Sequence, residues 1–391
     1  MTMGEAAPPA LPRWLVPVLV ALLLLVPFIR PVAILLAEGP GPLSDFDMFH
    51  ASARAIVAGD AVRLYDEPWY RGLQQQLYGF DMGGIWTYPP PYDALIAPLG
   101  LLPRAAAMLL FTSGTLVAYL LVLRRLAGAW LGVTLLLLTP LLMSVTILGQ
   151  NGLLTGALAG LAALGLVERR RWAGVPLGLM VIKPHLAAGL ALNVLVARDW
   201  RTVLTAALTV TLALATATLA LGTAVWPAFL AGVAHTSERL AGDGFPLFRM
   251  VSVYAAARTL GASPAAATVV QAVMAVIAIA AIVIAQRRLP LRQALGVACI
   301  AGLMISPYAF DYDLPVAGIG LVLLLPSLAK SGRPAELALA YAAFLVAVSW
   351  GSTVPHGPGL SPLAAGGLAM PVLLALVGRI LWRGQAEATP A

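Results

Sequence analysis

Long stretches without a single charge recur along the chain. Trp14–Leu36 is interrupted only by Arg30, while Ala105–Leu123, Gly128–Val167, Thr202–Ala234, Ser263–Ala285, Ala294–Phe310, Leu314–Ala329 and Leu337–Gly378 contain no Asp, Glu, Lys or Arg. A helix needs about 20 apolar residues to cross the hydrocarbon core of a bilayer. Two of the runs are long enough for two helices each. Gly128–Val167 would turn at Gly149-Gln150-Asn151-Gly152, and Leu337–Gly378 around Ser352–Ser361. Short strands of alternating polarity, the mark of a membrane barrel, are missing from this pattern. The expected fold is an all-α, polytopic integral membrane bundle of about ten full transmembrane helices.

The basic residues between the runs give the bundle an orientation. Arg13, Arg124/Arg125, Arg169/Arg170/Arg171, Arg198/Arg201, Arg287/Arg288/Arg292, Lys330/Arg333 and Arg379/Arg383 fall at alternate ends of successive runs and hold 15 of the 24 Lys and Arg. Basic loops stay on the cytoplasmic side. The outward segments are then Glu38–Asp93, Gly149–Gly152, His235–Arg258, Ser306–Asp313 and Ser352–Ser361, with both termini inside and the protein in the cytoplasmic (inner) membrane. One interval is too short for this alternation: only 26 residues separate Arg171 from Arg198, where two crossings would need about 40. A re-entrant hairpin is expected there, bent at Lys183-Pro184-His185, because proline removes an amide donor and disfavours helix at the residue before it. The organisation is a cytoplasmic N-terminal segment 1–13, one transmembrane domain 14–383 with an outer catalytic loop 38–93, and a short, disordered cytoplasmic tail 384–391. No cleavage site follows the first run, which is read as a retained helix.

Composition agrees with this reading. Apolar residues make up 60% of 391 positions, charged residues 10%, and the mean hydropathy is +0.90; soluble domains carry about 25% charged residues. The net charge of +7 is mostly the topology signal just described rather than a footprint for nucleic acid, which is not expected as a partner. The single cysteine, Cys299, cannot build a disulfide framework or a cysteine metal site.

The chemistry is expected on the outer side. Glu38–Asp93 carries eight acids. Ser44-Asp45-Phe46-Asp47 starts a helix whose apolar positions Phe46, Phe49, Ala53 and Ile56 recur at helical spacing, so an amphipathic helix lying on the outer membrane face is expected, ending at Gly59-Asp60. Asp45 and Asp47 could do no more than cap it. Trp86-Thr87-Tyr88-Pro89-Pro90-Pro91-Tyr92 forms an extended, aromatic-lined segment. Four further polar clusters stand at or near membrane depth: Gln150-Asn151, Lys183 with His185, His235–Arg249, and Asp311-Tyr312-Asp313. Ionisable groups at that depth are costly and point to function. Lys183 with His185 suits a phosphate. Asp311 and Asp313 could bind sugar hydroxyls or pair with Lys183 or Arg249.

Taken in order, Asp45-Phe46-x-x-Phe49, Gly59-Asp60, Leu64-Tyr65-Asp66, Tyr88-Pro89-Pro90, Pro98-Leu99, Leu102-Pro103, Gly149-Gln150-Asn151-Gly152, Lys183-Pro184 and Ser306-Pro307-Tyr308-x-Phe310-Asp311-Tyr312-Asp313 resemble glycosyltransferase family 87, from about Asp45 to Leu314. The resemblance implies a GT-C type fold and transfer of a hexose, mannose above all, from a polyprenyl-phosphate sugar to a lipid- or glycan-linked acceptor. It also implies a general base in the first outer loop: the acid of the Asp-aromatic-x-x-aromatic pattern falls on Asp45, with Asp47 as a possible second acid. Lys183, His185 and Arg249 would hold the donor phosphate; Tyr88, Gln150, Asn151, Asp311, Tyr312 and Asp313 would meet substrate. No cofactor is expected, and a divalent metal stays open. The chemistry agrees: a nucleotide sugar would call for a cytosolic nucleotide domain or a glycine-rich phosphate loop, and the chain has neither. A lipid-sugar transporter or flippase shares the many spans and the broken helix but would favour two matched halves, which are not found. A non-catalytic assembly subunit is a further alternative.

Overall fold

The computed structural model describes residues 7–37, 39, 41–80, 85–242, 245–353 and 362–388. Glu38, Asp81, most of the Ser352–Ser361 turn, residues 1–6 and the last three residues of the tail lie outside the described residues. The described chain is helical, apart from loops and one isolated antiparallel bridge between Met250 and Phe310.

The first crossing is α1 (Leu15–Leu25) and α2 (Ile29–Leu36), joined by a 3₁₀ turn at Pro27. The following segment folds into α3 (Phe46–Val57), α4 (Glu67–Tyr78) and α5 (Pro90–Ile96). Next come α6 (Arg104–Ala127), α7 (Leu131–Leu148) and α8 (Gly152–Val167), then the short pair α9 (Gly174–Leu179) and α10 (Ala188–Val196). The remainder is α11 (Trp200–Leu221), α12 (Val225–Ala241), α13 (Val253–Thr259), α14 (Pro264–Arg288), α15 (Leu291–Gly302), α16 (Pro315–Ser331), α17 (Pro334–Thr353) and α18 (Gly366–Ala388).

Six helical segments among the described residues are long and apolar enough to cross a membrane: Leu15–Leu36, Arg104–Leu148, Trp200–Leu221, Pro264–Arg288, Pro334–Gly351 and Gly366–Ala386. The second is 45 residues long and breaks at Gly128 into α6 and α7. The expected turn at Gly149 is present; that glycine takes φ +71 as the left-handed cap of α7, directly before α8. Three other helices that sequence patterning treats as full crossings are shorter, α8 with 16 residues, α15 with 12 and α16 with 17. The chain leaves helical geometry after Gly302 rather than at Phe310, because Ser306-Pro307 follows and the turn that ends in Asp311–Asp313 must reach the charged cluster. Thr202–Ala234 is likewise not one crossing: Gly222 stops α11, and α12 runs on through the polar stretch His235–Arg239. The tail is ordered as far as Ala388, because α18 continues past Arg383, whose guanidinium is held by Glu336 and the Ser331 carbonyl.

The hairpin is present. Helix breaks at Lys183, with φ −154 and ψ 72, immediately before Pro184. A Cβ on Gly174 would strike α11 at Thr202–Ala206, and one on Gly178 would strike it at Ala206–Thr209. So α9 and α11 run parallel in direct contact, and α10, between them in sequence, returns the chain alongside α14 and α15. Gly189 lets α10 approach the backbone of α15 at Ala298 and Gly302, the close contact that small residues permit between membrane helices.

The two ends of the bundle differ as the charge pattern requires. At one end Arg169, Arg170 and Arg201 share a cavity with Gln286 and Leu291, Arg292 reaches the Leu126 carbonyl beside Arg124/Arg125, and Gln385 reaches the Arg288 carbonyl. The described parts of the segments expected outside gather at the other end.

The helix that carries Asp45 and Asp47 does not lie on the surface as expected. Phe46, Asp47, Phe49, His50, Ala51, Ser52, Ala53 and Ala55 of α3 are all buried. Its small residues allow the segment after α5 to pack against its backbone, where Gly100 touches the Ala53 carbonyl. His50 ties it to the Tyr78 hydroxyl at 2.8 Å and the Leu102 carbonyl at 3.1 Å.

Candidate active site

Asp47 and Asp45 start the same helix and have opposite surroundings. Asp47 is fully buried. Arg104 donates to both of its oxygens, at 2.6 and 2.8 Å, and the Ser44 amide donates to Oδ2 at 2.7 Å. Asp47 is thus neutralised and supplies the turn that starts α3. Asp45 occupies the N-cap position without using its side chain as a cap. Its carboxylate is 24% exposed, and Oδ2 accepts from Gln150 Nε2 at 3.1 Å and Arg249 Nη1 at 3.2 Å. Oδ1 makes no hydrogen bond among the described residues.

Arg249 connects three polar segments of the chain. Besides Asp45 it holds Asp311, with Nε to Oδ2 at 3.2 Å and Nη2 to Oδ1 at 3.0 Å. The segment carrying it is fixed by the Met250–Phe310 bridge and by the Val251 amide on the Ala309 carbonyl at 2.8 Å. Burial lowers the affinity of Arg249 for its proton, but the Asp311 and Asp45 carboxylates more than offset this and raise it. Burial leaves Asp311 above the usual carboxylate range even with Arg249 beside it. Gly351, at the end of α17, lies against both side chains, so the segment leading to Ser352–Ser361 also reaches this cluster.

Lys183, at the tip of the hairpin, is buried and ion-paired with Asp313 at 2.5 Å. The other oxygen of Asp313 accepts from the Phe310 amide at 3.1 Å, so this acid starts the turn that leads into α16. The Lys183 ammonium lies 4.8 Å from the Tyr312 ring and 5.8 Å from the Tyr88 ring, and the Arg249 guanidinium lies 5.3 Å from the same Tyr312 ring. Cations over aromatic faces are stabilised by the ring quadrupole. Tyr312 stacks on Phe310 at 5.0 Å, and the Tyr88 hydroxyl reaches Gln150 Oε1 at 3.5 Å. His185 stands edge-on to Tyr308 at 6.1 Å, and its buried Nε2 makes no hydrogen bond. Asn151 is fully buried, and its carboxamide and the Tyr92 hydroxyl beside it have no well-formed hydrogen bond beyond the contact between the two.

The residues singled out from the sequence therefore gather at one end, where α3, α8 and α16 all begin. Helix N-termini favour negative charge. Two participants were not singled out. Arg104 had a signal: a lone cation in the first turn of an apolar helix opposes the helix dipole, so it needs a partner. Asp93 is fully buried, accepting from Trp86 Nε1 at 2.9 Å, with Tyr65 Oη 2.7 Å from its other oxygen. Tyr65 Oη is also 2.9 Å from the Tyr88 carbonyl, and one hydroxyl proton cannot serve both acceptors. A protonated Asp93 that donates to Tyr65 satisfies all three groups, in line with burial pushing its carboxyl up to about 8. Asp93 thereby anchors the aromatic segment bearing Tyr88. Among the described residues no group of three or more His, Cys, Asp or Glu stands ready to hold a metal ion. Two cavities, of about 440 and 460 Å3, lie away from this cluster. Arg249 closes the space between Asp45 and Asp311.

The sequence of residues 86–307, more than half of the chain, matches glycosyltransferase family 87. The match starts after Asp45 and Asp47 and includes Tyr88, Gln150, Asn151, Lys183, His185 and Arg249. No curated protein and no solved structure matches the chain.

Proposed function

The chain belongs to glycosyltransferase family 87, and from that premise we propose that it moves a hexose, with mannose favoured, from a polyprenyl-phosphate sugar to a lipid- or glycan-linked acceptor on the outer face of the cytoplasmic membrane. The observation that carries this reading is the Asp45–Arg249–Asp311 cluster. A partly exposed carboxylate with one uncommitted oxygen stands beside a guanidinium that is shared with a second acid.

In this reading Gln150 orients the Asp45 carboxylate, and Oδ1 takes the proton of the acceptor hydroxyl. The acceptor oxygen attacks the anomeric carbon as the bond from that carbon to the phosphate oxygen breaks. The electron pair goes to the leaving phosphate, and the configuration inverts. A positioned base contributes about 10²–10⁴-fold in rate. Arg249 holds the donor phosphate and compensates the charge that develops on it; in exchange it loosens from Asp45 and releases Oδ2 of that carboxylate. Lys183 and His185 add to the donor side through the electrostatic field and through the unpaired Nε2. Tyr88 and Tyr312 form aromatic walls for the sugar, and Asn151 meets its hydroxyls. Asp313 works through Lys183, fixing the hairpin tip. Asp47, held by Arg104, orders the start of α3 and is not the base.

The test is transfer by the purified protein from a panel of radiolabelled polyprenyl-phosphate sugars, with lipid and glycan products resolved. Label should move to an acceptor from one of these donors. Transfer from a nucleotide sugar and from none of the lipid donors would sink the donor class while leaving the family intact.

A further inference from the structure

At the end of the bundle opposite Asp45, a cavity of about 440 Å3 opens among α8, α10, α11, α14 and α15. Three arginines line it, Arg169, Arg170 and Arg201, against one acid, Asp199. That acid is committed: its oxygens accept from the Thr202 amide at 3.2 Å and the Thr202 hydroxyl at 2.7 Å, capping α11. Arg170 has an exposed partner in Glu168 at 2.9 Å. Arg169 and Arg201 form no ion pair among the described residues. The N-terminus of the 22-residue α11 adds its partial positive charge on the same side.

A second observation is independent of the charge. Asn193, also on the wall, is 1% exposed, and its Nδ2 makes no hydrogen bond. The buried Oε1 of Gln286 has no partner either. Buried polar groups in native proteins are nearly always satisfied, and a donor and an acceptor left over in one cationic cavity point to a ligand that offers both. Leu166, Val194 and Leu291 supply an apolar wall. Trp172 and Trp200, 40% and 58% exposed, flank the arginines in sequence; exposed tryptophan is typical of the membrane–water interface.

We infer that this cavity binds a phosphate ester at the depth of the lipid headgroups, with Arg169 and Arg201 on the phosphate, Asn193 Nδ2 donating to an ester oxygen and Gln286 accepting from a hydroxyl. The chemistry is met by the headgroup of an anionic phospholipid or by a soluble phosphate, and basic pockets between membrane helices are suited to the former. The site is separate from the Asp45 cluster, and the inference does not depend on the proposed reaction.

The experiment is thermal unfolding of the purified protein in phosphatidylcholine nanodiscs, with and without phosphatidylglycerol. A parallel arm adds inorganic phosphate at constant ionic strength to the phosphatidylcholine discs. A ligand that binds the folded state raises the unfolding midpoint. Phosphatidylglycerol should raise the midpoint of the wild type by several degrees. The rise should vanish in Arg169→Gln/Arg201→Gln, shrink in Asn193→Leu and persist in the control Arg124→Gln/Arg125→Gln. A rise caused by inorganic phosphate alone, lost in the same double variant, supports the site with a soluble ligand. No rise in either arm, or equal loss in the double variant and the control, overturns it. If the double variant does not fold, photocrosslinking of the wild type to a diazirine-bearing phosphatidylglycerol decides: adducts within residues 165–202 support the site, and adducts only elsewhere overturn it.

Discussion

Two kinds of charged contact stand at the same end of the bundle, and their construction differs. In the first, each charge has one buried counterpart: Asp47 with Arg104, and Lys183 with Asp313. In the second, one guanidinium serves two carboxylates, Asp45 and Asp311, and both Asp45 and Arg249 keep part of their surface exposed. A closed pair has nothing to offer a substrate without exposing a buried charge. A shared cation can exchange one carboxylate for a phosphate at little cost, because the other carboxylate stays paired. On the proposed reading the closed pairs hold the architecture, Lys183 acting on the donor through its field alone, and the shared cluster carries the chemistry.

Breaking a closed pair should have the largest effect. Arg104→Met strands the Asp47 carboxylate, and removal of one partner of a buried ion pair costs about 3–5 kcal/mol. The folded fraction after detergent extraction should collapse, and Arg104→Met/Asp47→Leu should recover most of it. Lys183→Met should behave in the same way through Asp313. A fully stable Arg104→Met protein would erase the distinction between the two kinds of contact.

Opening the shared cluster should spare folding and impair turnover. Arg249→Gln should raise KM for the donor and lower kcat, with about 10²-fold or more lost in kcat/KM, since the phosphate is held in the ground state and held more strongly as its charge develops in the transition state. Arg249→Lys should restore part of it. A change in kcat alone would move the phosphate contact elsewhere.

A smaller effect sharpens the assignment of Asp93 to architecture. Its carboxyl is raised from 3.8 to about 8 by burial, so the protonated form is the one the fold accommodates. The stability it contributes is full below 3.8, is lost as pH rises toward about 8, and then levels off. Thermal midpoints of wild type and Asp93→Asn should separate across that window in favour of the variant. Parallel curves would show that Asp93 is ionised in the fold.

Much of this was legible in the sequence. Charge-free runs marked the helices, the arginine clusters marked one end, and the 26-residue interval with Pro184 required the hairpin. All of these are local signals. The partner of Asp47 was not legible because Arg104 is 57 residues away and the acid lies in a helix start where capping alone would account for it. The burial of α3 was hidden because Ala51, Ser52, Ala53 and Ala55 carry little hydrophobic signal, although their small size is what lets Gly100 approach. The early end of α15 depended on where Asp311 and Asp313 must sit, which is set by Arg249 and Lys183 from elsewhere in the chain.

The central claim is that Asp45, and not its neighbour two residues on, takes the proton. The direct measurement is single-turnover sugar transfer by Asp45→Asn, read beside Asp47→Asn with the unfolding midpoint of each. Asp45→Asn should lose about 10²–10⁴-fold in transfer rate while its midpoint stays with the wild type. Asp47→Asn should fall in midpoint, and any molecules that remain folded should transfer sugar. An Asp45→Asn protein that transfers at the wild-type rate would contradict the account, and a folded but inactive Asp47→Asn protein beside it would move the base to Asp47.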